Sequence, residues 1–229
     1  VYIIIDNMSL KNPVINIITR TCDRPRSFAR NVKSITSQTY TNYKHIIIAD
    51  KNTTLDYINK NERMCVVQFD LNQIINSGVG CISDPGTGPH VPYNLYFNHI
   101  HDIVDPGWIM YLDDDDYLSS PTTLERIVKK VINNCDRDTL IMFKMKWMDG
   151  KTLPDDSIMR TGKKPQICGI GGSCFTYHTK FLNRVQWDNW KCGDYRFFSA
   201  LYDIVPTKAW YNCVVVEAPI PGSCSRVDI

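Results

Sequence analysis

The chain lacks most of the features that would settle its class at a glance. It has no apolar run near the roughly 20 residues that a membrane-spanning helix needs, so no transmembrane segment is expected. It has no dense block of lysine and arginine, and a formal net charge of +2 offers no electrostatic footprint for nucleic acid or an anionic membrane. It has no C-x-x-C pair. Its nine cysteines (Cys22, Cys65, Cys81, Cys135, Cys168, Cys174, Cys192, Cys213 and Cys224) are odd in number and scattered, which argues against a disulfide framework or a zinc site. Reduced thiols and a cytoplasmic location are therefore expected, with Cys65 and Cys213, set in apolar runs, as small core residues. Val1 to Ile5 is too short and lacks the basic flank for a signal peptide. No repeat or low-complexity segment is present. Between Thr19 and Pro25 there is no glycine, and the glycines of Gly78 to Pro92 neither follow a phosphate-loop spacing nor end in Gly-Lys-Ser/Thr.

What is present points to one α/β domain over residues 1–229. Val14 to Thr19, His45 to Ala49 and Cys65 to Phe69 read as buried strands. Phe28, Val32 and Ile35 mark a helix after Arg24-Pro25, and Leu55 and Ile58 share one face of a short helix from Thr54. Gly78 to Pro92 reads as a breaker-rich surface loop or a lid, and Asn94 to Ile103 as a helix leading into the Trp108 strand. Ser119 to Glu125 carries a helix start, with a serine cap and a proline in the first turn, and Leu124, Ile127, Val128 and Val131 continue its apolar stripe. Leu140 to Trp147 is a strand, a helix is expected near Lys180 to Val185 and another from Asp194 to Leu201, and a strand follows at Trp210 to Val216. The alternation in the first half predicts a mostly parallel, Rossmann-type sheet with helices on both faces.

The most informative stretch is Trp108-Ile-Met-Tyr-Leu112 followed by Asp113-Asp114-Asp115-Asp116. Ligands of open α/β sheets collect at the carboxyl ends of strands. Four adjacent carboxylates repel, so holding them together there calls for a cation or a proton. Asp113 and Asp115 are two apart and share a side if the strand end stays extended, with Asp114 pointing away. Asp116 either contacts metal-bound water or caps the following turn. Alone, such a tetrapeptide reads equally as a solvated acidic turn.

The order of motifs adds weight. Thr21-Cys-Asp-Arg-Pro25 follows the first strand, Gln38-Thr-Tyr-Thr-Asn-Tyr43 precedes the second, and that strand ends at Asp50. Leu112-Asp-Asp-Asp-Asp116 comes next, then Gly171-Gly-Ser-Cys-Phe175 and Gly193-Asp-Tyr-Arg196. This succession resembles the inverting family-2-type glycosyltransferases of the GT-A fold. The departures are Asp23 for Asn in the first turn, Ser37 for Asn before Gln38, Lys51-Asn52-Thr53 after Asp50, and Gly193 where the family has Glu before its catalytic Asp.

The resemblance implies a nucleotide-binding half over about 13–117 and an acceptor-binding half over about 118–229. It implies that Asp113 and Asp115 hold Mn²⁺ or Mg²⁺ on the diphosphate of a nucleoside-diphosphate sugar, most simply a UDP-sugar. Asp50 would accept from the uracil imide, and Thr19, Thr21, Arg24, Asn94 and Asp114 would line the nucleotide pocket. Arg24 alternatively pairs with a nearby carboxylate. Asp194 would be the general base toward a hydroxyl of a glycan or glycoprotein acceptor, in a hexosyltransferase-like reaction with inversion. Its position also suits a helix N-terminal carboxylate. Trp187, Trp190, Gly171 and Gly172 are candidates for the acceptor or sugar, the tryptophans equally for core packing. His99 and His101 stand two apart on a helix and face different ways, which counts against a histidine metal site; His178 is a weak extra ligand. A sugar-phosphate nucleotidyltransferase and a non-catalytic carbohydrate- or calcium-binding module are the competing functions.

Overall fold

A computed structural model describes residues 12–219; Val1 to Ile5 and Cys224 lie outside them. The first half is built as the alternation predicts. Strands β1 (Val14–Thr21), β2 (Tyr43–Ala49), β3 (Met64–Val67) and β4 (Gly107–Tyr111) run parallel in the order β3-β2-β1-β4. Ile17, Ile46, Ile47, Ile48 and Ile109 are wholly buried, as both faces of a helix-covered parallel sheet require. Each such side chain contributes about 1.5–3 kcal/mol. Helix α1 (Pro25–Thr36) opens on a proline at its first turn and buries Phe28, Asn31 and Ile35. Asn16, wholly buried in β1, donates to Asp105 O and Trp108 O and accepts from Asp105 N, tying β4's approach to β1.

After β4 come β5 (Tyr117–Leu118), β6 (Thr139–Trp147), β7 (Thr152–Leu153), β8 (Phe175–His178) and β9 (Thr207–Ala218). They extend the sheet as β4-β8-β6-β9-β5, with β7 on the side of β6. Here the sheet is mixed: β8 is antiparallel to both β4 and β6, whereas β6 and β9 are parallel. One core cluster runs from Ile15 to Ala218 across the sheet.

Several local expectations need correction. Helix α2 (Asn52–Leu55) is a single turn that buries Thr54 and leaves Leu55 39% exposed, because one turn is too short to present a stripe. The segment expected as a helix from Asn94 is a 3-10 helix, Pro92–His99. Its Asn98 amide bonds both ways to the Trp187 backbone, anchoring it to another loop. The helix expected near Lys180 is a 3-10 turn, Thr179–Phe181, and Asn183 at φ 68° prevents its extension. Helix α4 (Thr123–Lys130) starts without a side-chain cap. The serine hydroxyls are engaged otherwise, Ser119 Oγ donating to Val214 O and Ser120 Oγ accepting from Arg126 Nη2. Cys213 is only half-buried. Helices α3 (Leu71–Ser77), capped by Asp70 and closed by Gly78 at φ 73°, and α5 (Asp156–Thr161), capped by Asp155, were not expected. Helix α6 (Gly193–Ile204) is longer than its apolar pattern implied.

Candidate active site

The carboxyl ends of β1, β2 and β4 open onto a cleft of about 1090 Å³, whose far wall is the start of α6. Sheet register decides what meets there. Thr21 of β1 pairs with Ala49 of β2, and Asp50 N donates to Thr21 O at 3.1 Å, so Cys22 and Asp50 leave the sheet side by side. Ile18 pairs with Tyr111, which brings the acidic run alongside the β1 loop.

That run is a tight turn rather than an extended strand end: Asp116 N donates to Asp113 O at 2.9 Å. Asn31 of α1 clamps it, donating to Asp113 O (3.0 Å) and Asp116 O (2.9 Å). The turn still separates the carboxylates, with Asp114 and Asp116 buried, Asp115 half-buried and Asp113 exposed in the cleft. Arg24 Nη1 bridges Asp114 Oδ1 (2.9 Å) and Asp115 Oδ2 (3.0 Å), so the carboxylate-pairing alternative for this arginine is the geometry present. Burial pushes Asp114 up to about 6, Arg24 pulls it back, and Asp115 adds to the rise. Burial, then Asp113, raises Asp115. Burial and its acidic neighbours raise Asp116 strongly, opposed by Ser173 Oγ, which donates to Asp116 Oδ2 at 2.7 Å. The cluster is short of positive charge, and its free oxygens are hard donors.

No three or more His, Cys, Asp or Glu side chains among the described residues form a group able to hold a metal ion. A small divalent ion does not need one, since it commonly takes one or two carboxylates with the rest from water and substrate phosphate. Asp113 and Asp115 fit that donor set. His99 lies in a smaller cavity of about 220 Å³ with His101, apart from the acidic turn, and His178 packs its ring against Trp108.

At the end of the cleft beside β2, Asp50 lines it with Oδ1 buried and without a hydrogen-bond partner among the described residues. Burial raises its pKa, and Arg20 opposes the rise. Asn94 also lines the cleft, but its amide is engaged: Oδ1 accepts from Arg20 Nη1 (3.2 Å) and Nδ2 donates to Trp190 O (3.3 Å).

On the far wall, Asp194 sits in the first turn of α6, its Oδ1 accepting from Tyr195 N at 2.8 Å. Burial pushes it up to about 6, and Asp113 across the cleft adds to the rise. Gly171 and Gly172 lie beside this carboxylate: a Cβ on Gly171 would be in ordinary van der Waals contact with Asp194 Oδ2 at 4.0 Å, and one on Gly172 with Trp187 at 3.4 Å and Asp194 Cβ at 3.9 Å. The Gly78 to Pro92 segment is strapped to the loop before α6. Val91 N donates to Asn189 O, Lys191 N to Pro89 O, Trp190 Nε1 to Ile82 O and Thr87 Oγ1 to Lys191 O. Arg196 of α6 locks the strap, bonding Asp188 Oδ2 (2.5 Å) and Oδ1 (2.7 Å) and Thr87 Oγ1 (3.0 Å).

Four expected residues are engaged in the core or the strap, three of them away from the cleft. Thr19 is wholly buried, its Oγ1 3.0 Å from His45 Nε2, because its side chain leaves β1 toward the core. Thr21 is also buried, bonded to the Tyr57 hydroxyl at 2.9 Å, and supports Asp114 from behind. Trp187 reaches the cleft but belongs to the core, stacked on Phe197 at 4.6 Å. Trp190 packs on His90 in the strap and does not line the cleft. Asn31, Ser173 and Arg196 escaped sequence reasoning. Asn31 left a signal as a polar residue on the apolar stripe of α1, and Ser173 and Arg196 stood inside quoted motifs without a role of their own.

No protein-family profile and no curated protein matches the chain by sequence. Solved structures match it in fold. Residues 1–349 of S. aureus TarS align over 90% of this chain and 60% of theirs, with TM-score 0.62 and 15% identity. The same protein in complex with UDP-GlcNAc aligns over 93% and 61%, with TM-score 0.62 and 16% identity. The mannosyltransferase PcManGT from Pyrobaculum calidifontis, in complex with GDP-Man and Mn²⁺, aligns over 93% and 59%, with TM-score 0.60 and 10% identity. The chain has the GT-A fold. It spans about 60% of the length of these GT-A structures. No helix among the described residues is long and apolar enough to cross a membrane.

Proposed function

We propose that this GT-A chain is a metal-dependent glycosyltransferase that moves a hexosyl unit from a UDP-sugar to an acceptor hydroxyl with inversion. The observation that carries the reading is the placement of Asp113 and Asp115 opposite Asp194 across one cleft. The complexes of its structural neighbours with UDP-GlcNAc and with GDP-Man and Mn²⁺ support the substrate class.

In this reading residues 13–117 bind the donor and residues 118–229 the acceptor. Asp50 Oδ1, buried and without a hydrogen-bond partner among the described residues, accepts an N–H from the base. Asp113 and Asp115 would hold Mn²⁺ or Mg²⁺, which would supply Lewis-acid stabilisation of negative charge on the diphosphate. Arg24 keeps Asp114 and Asp115 together when the cleft is otherwise crowded with negative charge. Asp194 takes the proton from the acceptor hydroxyl as its oxygen attacks the anomeric carbon opposite the diphosphate, and its raised pKa suits a base working near neutrality. Gly171 and Gly172 leave room for the acceptor beside that carboxylate. The odd number and scattered placement of the cysteines fit reduced thiols in a cytoplasmic setting.

Calorimetry of UDP in the presence of Mn²⁺, comparing the parent with Asp115→Ala, tests the metal assignment. The variant is expected to lose at least about tenfold in affinity, the scale of one lost charge-assisted contact. Undiminished metal-dependent binding in the variant overturns it.

A further inference from the structure

The cleft contains a cation that the functional reading above leaves without a task. Arg20 is the penultimate residue of β1, half-buried, and lines the cleft. Its guanidinium lies 4.5 Å over the centroid of Tyr93 and 5.5 Å from that of Phe97. Asn94 Oδ1 receives Nη1 at 3.2 Å, and Asn94 is itself held to Trp190 O. Ring contacts and one amide therefore set the plane of the fork. Of the five N–H donors an arginine carries, the contacts described occupy one.

Arg20 stands between the two ends of the donor path. It lies on β1, which the sheet order sets between β2, followed by Asp50, and β4, followed by the acidic turn, and all three groups line the cleft. A nucleoside-diphosphate sugar lying from Asp50 to the acidic turn passes its diphosphate through this interval, and the diphosphate is its only anionic part. Resting on the functional reading above, we propose that Arg20 is a donor-binding residue whose guanidinium contacts the diphosphate, and that Asn94 is a positioning residue that aims it.

The same arrangement explains a departure noted in the sequence. A Cβ at Gly193 would lie 2.9 Å from Asn94 Nδ2 and 3.2 Å from Asp188 O. The space that a glutamate would need just before Asp194 is taken by the amide that holds Arg20.

The test uses UDP against uridine, and GDP against guanosine, titrated by calorimetry with Mn²⁺ into the parent, Arg20→Ala, Arg20→Lys and Asn94→Ala. Thermal melts confirm that each variant is folded. Arg20→Ala is expected to weaken the diphosphate about 10- to 100-fold, the scale of one or two charge-assisted contacts, while the nucleoside changes less than about threefold. Arg20→Lys keeps the charge without the fork and falls between. Asn94→Ala shows the same diphosphate-selective loss at smaller size, which a merely structural role would not produce. Equal losses for nucleoside and diphosphate in Arg20→Ala, or no loss of either, overturn the proposal alone. A parent chain that binds no nucleoside diphosphate overturns the functional reading and this proposal with it.

Discussion

The two walls of the cleft are built by different means. On the wall formed by β1, β2 and β4, each charged group follows a buried parallel strand by one to three residues, so its place is set by sheet register: Asp50 after Ala49, Asp113 after Tyr111, Arg24 after Thr21. On the opposite wall, Asp194 is placed by loops. The strap of residues 78–92 and the Arg196–Asp188 pair hold the start of α6. A wall built from register tolerates change in its loops. The other depends on a handful of side-chain contacts that hold only in the folded chain.

The most severe test of this contrast is Asp194→Asn. If the loop-built wall supplies the base, turnover falls about 10²–10⁴-fold, the usual worth of a positioned base, while UDP affinity is unchanged; mass spectrometry of the glycosylated product and calorimetry read the two. The same residue predicts a pH limb. Burial raises Asp194 to about 6. A base must be deprotonated, so the rate is full above that value and falls as pH drops through it. In Asp194→Asn the residual rate loses this limb. A parent profile flat from pH 7.5 to 5 removes Asp194 from that role.

Next in size is Arg196→Ala, which strips the partner from Asp188, a carboxylate only 9% exposed. The expected cost is about 1–3 kcal/mol, read as a lower urea midpoint, with faster proteolytic cleavage inside residues 78–92 and slower turnover at near-normal UDP affinity. Equal loss of donor affinity would mean that the two walls are not separately built. The smallest effect is expected at Leu55→Ser. Leu55 is 39% exposed on α2, so stability shifts by less than about 0.5 kcal/mol in chemical denaturation. A larger loss would show that Leu55 packs after all.

Legibility in the sequence follows the same division. Strands β1, β2 and β4 announce themselves because a strand buried on both faces must be continuously apolar, and a carboxylate after such a run stands out. For Asp113 to Asp116 the sequence left an extended strand end and an acidic turn both open; the turn is what forms, and the sequence could not choose because the amide that clamps it comes from Asn31, 82 residues from Asp113. Thr19 and Trp190 were misplaced because motif order says which segment nears a cleft and not which way a side chain faces. The expected helix after Lys180 failed at one residue, Asn183, whose positive φ no periodicity encodes.

The sequence by itself determined the parallel half of the sheet, the position of its acidic strand end and the presence of a helix beginning near Asp194, because burial and periodicity are local signals written into residue type. Only the tertiary structure decided that Arg24 sits between Asp114 and Asp115, that Arg20 rather than Asn94 offers donors to the cleft, and that the Gly78 to Pro92 loop is a strap. Those outcomes rest on hydrogen bonds between groups some 70 to 110 residues apart, which exist only once the sheet has brought their segments together.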